Sequence, residues 1–383
     1  MDCLFCHFNT DIINNKFNPP NTKTYFTSKD DYTEYINNII SKNYDINDIN
    51  DIFPIFHNES YSIKAKNIKD VSNRNSTIKK ERGPLHKEVI FISKDYPDIK
   101  YPNLDINCYS LKNPSNLKNE IILLRIRNKC FDNAEKKRKS SYNSENDSNS
   151  IKNKDCMSTN DKESFLSDES SDISKKVTLI VSHSASDDLG IIFPRLCDLA
   201  TLLKCDVISY DYTGYGCSNL KPNYNSLKKD LIIVLNFCNN TLDLKNENIV
   251  LLSFNIGAIP SIYASSQPKY CSIRGIILVS PSFNFIKKFD FEIINEVICP
   301  VFLIQGNYED AIEKKKNIEF SKNFNESIYW ISKNGRNYDE IIDENRYKFY
   351  QKIRKFLSHV QTSRIKISQT IAESKNSTVI LDN

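Results

Sequence analysis

Residues 251–261 read LLSFNIGAIPS. The apolar run before Asn255 has the length of a strand, and a helical pattern starts at Gly257. Ser253 and Gly257 frame Asn255 with small residues, as in a sharp strand-to-helix turn that lifts one residue clear of its neighbours. A serine at that apex, with a histidine beside it, would attack an acyl carbonyl. Asparagine has no proton for a base to remove and is a poor nucleophile. It is, however, among the non-glycine residues most tolerant of positive φ. Such a turn keeps its shape and loses its chemistry. Ser253 and Ser261 flank the apex without occupying it, and Ser253 fills the small-residue position where strand and helix pack closely. The five histidines are His7, His57, His86, His183 and His359, of which only His359 follows the turn.

The elements that must position this turn are legible from residue 177 onward. Short apolar runs recur at 177–182, 206–211, 248–254, 275–281, 300–306 and 327–332, and an earlier one covers 119–129. Each has strand length and almost no alternation, which suits strands buried on both faces of a parallel sheet. Between them lie segments of helical period at about 188–203, 225–238, 257–266, 311–322 and 338–360. This alternation predicts an α/β fold with a doubly wound, mostly parallel sheet and right-handed crossovers. The polar motifs HSASDDLG (183–190), YDYTGYGCS (210–218), SFNIGAIPS (253–261), SPS (280–282), QGNYEDAI (305–312) and KNGRNYDE (333–340) all follow the carboxyl ends of strands. Open α/β sheets place their sites there. Of only eight glycines, those at 190, 214, 216, 257, 306 and 335 fall inside these motifs, as expected where turns demand them.

Bulk properties exclude several classes. Lys+Arg is 52 and Asp+Glu is 48, so no basic field argues for nucleic acid, and the run Lys136–Lys139 reads as a solvated loop. The 11 cysteines show no pairing or metal-ligand spacing, and no cofactor motif stands out, so neither metal nor cofactor is expected. The start, MDCLFCHFNTDII, lacks a signal-peptide pattern, which with the scattered cysteines suggests a reduced, cytoplasmic protein. No apolar run approaches the roughly 20 residues of a membrane span, so membrane contact is expected to be peripheral. Cys3, Cys6 and His7 match C-x-x-C-H, but beside Leu4, Phe5 and Phe8 the two thiols read better as S-acylation sites. Asp2 excludes N-myristoylation, and two acyl chains would anchor stably where one is marginal. Five segments follow: an anchor-like stretch at 1–25, a poorly defined region at 26–115, the α/β domain at 116–132 and 176–362, a low-complexity, disordered insertion at 133–175, and a polar tail at 363–383. The insertion is nearly all Ser, Asn, Lys, Asp and Glu and cannot bury enough apolar surface to offset its ordering entropy.

Taken together, these motifs resemble the α/β-hydrolases, and within them the alpha/beta hydrolase domain-containing protein 17 group, membrane-anchored serine hydrolases that remove palmitoyl groups from proteins. The resemblance covers about 177–357. YDYTGYGCS carries it most specifically, HSASDDLG next, and KFNPPNTKTY (16–25) after a Cys-containing start adds to it. The segment between Pro281 and Pro300 is shorter than the group's cap. The resemblance puts the nucleophile position at Asn255 and the acid position at Glu309, with Asp310 beside it. It puts the base position at Arg336, and the oxyanion-loop positions at His183, Ser184, Ala185 and Ile256. A guanidinium stays protonated at neutral pH and cannot serve as a base, and the loop's usual glycine is Ser184. An Arg336 pair with Glu309 or Asp310 is the expected replacement for a His–Asp pair. A rescue by Cys217 and His183 is the remaining catalytic combination.

Three functions follow from this sequence. The first is a pseudoenzyme at the cytoplasmic face of a membrane that binds an acylated protein, a lipid or a protein partner, with no role in nucleic-acid binding. The second is an active acyl-protein thioesterase or esterase with an atypical site. The third is a scaffold that acts through its disordered regions.

Overall fold

The structure is a computed structural model, and the residues it describes are 19–20, 24–34, 85–93, 101–129, 177–282, 291–309 and 311–377. The expected insertion at 133–175 lies outside them, as do Cys3, Cys6 and Asp310.

The apolar runs become strands where the sequence places them: β5 (Asn116–Asn128), β6 (Thr178–Ser182), β7 (Asp206–Tyr210), β8 (Ile249–Phe254), β9 (Gly275–Val279), β10 (Val301–Gly306) and β11 (Ser327–Ser332). Every residue of β6 to β10 is buried, which is why these runs are continuously apolar instead of alternating. β11, at the sheet edge, and the start of β5 keep exposed positions.

The N-terminal region contributes more than its composition suggests. β1 (Tyr25–Phe26) and β3 (Ile92–Ser93) form a small antiparallel pair. β2 (His86–Val89) and β4 (Leu104–Asn113) join the main sheet by antiparallel pairing. Part of the region 26–115 is thus sheet, and the segment 1–25 ends inside the folded domain. The nine-stranded sheet runs β11-β10-β9-β8-β6-β7-β5-β4-β2, parallel from β7 through β11 and antiparallel from β5 outward.

Helices cover both faces. α1 (Leu189–Leu202) is capped by Asp188, whose side chain accepts from Ile191 N–H. α2 (Tyr224–Asn240) starts with a reciprocal capping box between Asn223 and Ser226. α3 (Ala258–Ser265) follows β8, α4 (Phe291–Asn295) lies between β9 and β10, and α5 (Ala311–Ser321) precedes β11. The last helical pattern is two helices, α6 (Tyr338–Glu344) and α7 (Arg346–Ser377), broken at Asn345, where φ is −126° and ψ is 31°. α7 continues beyond the expected end at 362. α2 and α3 pack on one face of the sheet, and α1, α6 and α7 on the other.

The winding fixes where a site can form. From β6 the chain crosses through α1 to β7 on one side, then returns through α2 to β8 on the other. The sheet changes direction between β6 and β8, and the crevice of a doubly wound sheet opens beyond the carboxyl ends of such a pair. His183 and Asn255 are the residues immediately after those two strands.

Candidate functional site

Asn255 adopts φ 51°, the left-handed conformation expected at the apex. The turn is tight because α3 starts almost at once: Asn255–Gly257 is a single 3-10 turn leading into Ala258. Gly257 allows this approach, since a Cβ there would lie 2.4 Å from the Ser182 carbonyl oxygen. Ser253 and Ser261 are fully buried and hydrogen-bonded to each other at 2.6 Å, so both are packing hydroxyls with no path to a substrate. Ile256 is also fully buried, behind the apex.

A cleft of about 400 Å³ lies over Asn255, and its lining includes Ser184, Ser280, Glu309, Arg336 and Asn337. Glu309 is held firmly. Its Oε1 accepts from Ser280 Oγ at 2.6 Å and from Gly306 N–H at 3.0 Å, and its Oε2 accepts from Gln305 Nε2 at 2.6 Å. Gln305 is fixed in turn by a hydrogen bond from the Tyr329 hydroxyl. Tyr329 titrates high, pushed up to about 12 by burial and then by the Glu309 charge, so it stays a donor. Ser280 has φ 45°, a second left-handed non-glycine residue in the same cleft. Strained backbone of this kind persists where the surroundings over-determine it, commonly at sites.

Arg336 does not take the place of a base. Its side chain is 78% exposed, its Nε lies 4.0 Å from Glu340 Oε2, and its backbone N–H donates to the same carboxylate at 2.9 Å. The expected pair with Glu309 is not formed. Arg336 sits two residues before α6, where Glu340 in the helix's first turn is nearer than the acid across the cleft, and an exposed guanidinium gains more from water than from entering the site. No histidine lines the cleft among the described residues. His359 is on α7, 2.8 Å from Glu326.

His183 is fully buried and points away from the cleft, into a network that sequence reasoning missed. Its Nδ1 is 2.8 Å from the Ser184 carbonyl, an acceptor, so that nitrogen carries hydrogen. Its Nε2 lies 3.3 Å from Asp211 Oδ1, at ion-pair distance though poorly aligned for a hydrogen bond. Both ring nitrogens therefore face oxygen acceptors, which suits the imidazolium. Burial opposes that charge, but Asp211 outweighs it, and the pKa is raised above the ordinary value. The ring stacks 4.1 Å from Tyr212 and 5.3 Å from Tyr215.

Asp211 links this histidine to the N-terminal segment. Its Oδ2 accepts from the Tyr25 hydroxyl, and its Oδ1 accepts from Leu189 N–H at 2.9 Å. The Tyr25 oxygen also accepts from Cys217 N–H at 3.1 Å, and Cys217 Sγ lies 3.5 Å from the Tyr25 carbonyl. Thr24 Oγ1 donates to Asp188. Burial and then the Asp211 charge push the Asp188 carboxyl up to about 6. Gly190 and Gly216 make room for this segment: a Cβ at 190 would fall 2.6 Å from the Thr24 carbonyl oxygen, and one at 216 would fall 2.7 Å from the Tyr25 ring. Cys217 is thus turned toward the N-terminal segment instead of the cleft, and a Cys217–His183 catalytic pair is not assembled.

The loop after β6 holds the expected oxyanion-loop positions Ser184 and Ala185. Ser184 is buried without positive φ, its Oγ lies 3.2 Å from Ser186 Oγ, and the Ala185 carbonyl accepts from the Tyr215 hydroxyl at 3.2 Å. Asp187 accepts from the Tyr338 hydroxyl at 2.7 Å, which joins the loop to α6. Among the described residues no cluster of His, Cys, Asp and Glu could hold a metal ion, and no helix is long and apolar enough to cross a membrane.

No protein-family model matches the chain. Curated proteins do. The chain is 26% identical over 221 residues to the alpha/beta hydrolase domain-containing protein aho-3 of Caenorhabditis elegans, covering 53% of this chain and 64% of the worm protein. It is 24% identical over 199 residues to human alpha/beta hydrolase domain-containing protein 17C, covering 49% of this chain and 59% of that protein. The chain spans about three fifths of the length of these curated relatives. Among solved structures, an esterase of Pyrococcus furiosus aligns with 67% of this chain and 93% of its own at 14% identity and a TM-score of 0.47. With a doubly wound nine-stranded sheet and a strand-turn-helix elbow at its switch point, this chain has the α/β-hydrolase fold, and its curated relatives are alpha/beta hydrolase domain-containing protein 17 members.

Proposed function

We propose that the chain is a catalytically inactive α/β-hydrolase that binds an acylated or protein partner in the cleft over Asn255 while held at a membrane by an acylated N-terminus. The observation that carries this reading is the composition of the cleft. A carboxamide stands at the apex, the base position is an outward-turned arginine, and no histidine is among the lining residues. In a serine protease, losing nucleophile or base alone costs about as much as losing the whole triad, around 10⁶ in turnover. Here both are replaced. The retained elbow, acid and loop preserve a shaped cleft, which is what a binding role needs.

A second reading, an esterase with an atypical site, has one observation in its favour. Ser280 lies in the cleft at φ 45° with its Oγ 2.6 Å from Glu309, an arrangement a carboxylate base could use. Against it, Glu309 already accepts from Gln305 and Gly306, which occupies the lone pairs a base would use. One experiment separates the two: thioester and ester turnover by the full chain, with labelling by a fluorophosphonate probe, beside Asn255→Ala and Ser280→Ala. Equal background in all three supports the binding reading. Turnover lost on either change overturns it. Membrane attachment is tested separately, by hydroxylamine-sensitive acyl labelling and fractionation of Cys3→Ser/Cys6→Ser, which should lose both.

A further inference from the structure

The replacement at the elbow apex has a chemical direction. A carboxamide presents an N–H donor and a carbonyl acceptor side by side. Asn255 is partly exposed, lines the cleft, and makes no side-chain hydrogen bond to any described residue, so both functions face the ligand space. A thioester offers acceptors only. Docked against Asn255 it could receive one hydrogen bond from Nδ2, and it would leave Oδ1 desolvated and unpaired. A peptide amide offers N–H and C=O together and satisfies both. The cost of the unpaired acceptor amounts to about a tenfold preference for the amide.

The rest of the lining points the same way. Ser184, Ser186, Ser282 and Asn337 add hydroxyls and an amide, and no large aliphatic side chain is among the described lining residues to reward an acyl chain for leaving water. Among the described lining the charges already have neighbours: Glu309 is held by three neutral donors, Asp339 pairs with Arg195 at 2.7 Å, and the exposed Arg336 turns to Glu340, so a neutral ligand need displace none of these contacts. The one aromatic residue of the described lining, Tyr338, is buried with its hydroxyl bonded to Asp187, which leaves no exposed ring face for a sugar to stack on.

We infer that the cleft over Asn255 recognises an uncharged amide of a peptide segment through the Asn255 carboxamide, and that an acyl chain on the partner adds nothing at this site. This rests on the binding role proposed above and assigns its ligand chemistry.

The test is affinity selection on the immobilised full chain. The probes are a library of unmodified nonapeptides with a fixed central cysteine, the same library S-palmitoylated at that cysteine, and a glycan panel. Unmodified peptides should be enriched at least as well as palmitoylated ones. Asn255→Asp, which keeps the size and turn tolerance but removes the donor, should lower enrichment about tenfold. Asn255→Gly, which keeps the turn and removes the whole group, should do the same, with thermal melting confirming that both variants fold. Enrichment of palmitoylated peptides alone overturns the inference and leaves the binding role standing. Enrichment of glycans alone, or binding unchanged in both variants, also overturns it. No enrichment from any probe set overturns the inference and the binding role together.

Discussion

Changing Tyr25 to Phe removes one oxygen from the interior and leaves the ring, which packs 5.0 Å from Phe91, in place. That oxygen donates to the fully buried Asp211 carboxylate and accepts from Cys217 N–H at 3.1 Å. Losing a hydrogen bond to a charged acceptor costs about 1.5–3 kcal/mol, and an orphaned N–H adds about 1 kcal/mol where water reaches it. The expected loss is therefore about 2.5–4 kcal/mol, or roughly 5–15 °C in melting temperature for a domain of this size. Urea unfolding should show a lower midpoint with an unchanged slope. Hydrogen exchange should rise in residues 183–190, because Asp211 also holds His183 and Leu189 N–H. A double-mutant cycle with Asp211→Asn should return a coupling energy above about 0.5 kcal/mol. A loss below about 0.5 kcal/mol, with exchange unchanged in 183–190, would refute the claim that the N-terminal segment is wired to the cleft loop.

Gly257→Ala puts a methyl 2.4 Å from the Ser182 carbonyl oxygen, so it should destabilise by about 3 kcal/mol in urea melts and disturb the cleft. Asp230 is fully buried, accepts from Thr213 N–H at 2.8 Å and Thr213 Oγ at 2.9 Å, and is pushed by burial up to about 7 from an ordinary 3.8. The folded state therefore holds this proton more tightly than the unfolded state, and the stability it contributes is present below pH 3.8 and is lost as pH rises through 7. Asp230→Asn should flatten the stability profile between those limits; an unchanged profile would rule out Asp230 as its source. Asn255→Ser with Arg336→His restores nucleophile and base beside the retained Glu309, and should gain fluorophosphonate labelling and about 10²-fold or more in ester turnover over either single change. Labelling equal to the single variants would mean that the retained acid and loop no longer define a working geometry.

The amino-acid sequence determined the central architecture because its signal is local. Runs such as TLIVS and IVLLSF are mostly apolar with no polar alternation, and a strand covered on both faces needs that. The elbow was legible for the same reason: small residues around Asn255 state a backbone conformation, and Asn255 at φ 51° bears it out. What only the tertiary structure decided depends on contacts between distant segments. Nothing local in NTKTYF announces that Tyr25 will be fully buried against Asp211, 186 positions away. The glycines at 190 and 216 hinted at it, but their partner could not be named until the chain folded. Arg336 shows the opposite limit. It lines the cleft, yet its direction was set by a neighbour four residues on and by the pull of water on an exposed guanidinium. Residue type fixed what chemical groups stand at the cleft positions; three-dimensional packing decided which of those polar groups line the cleft.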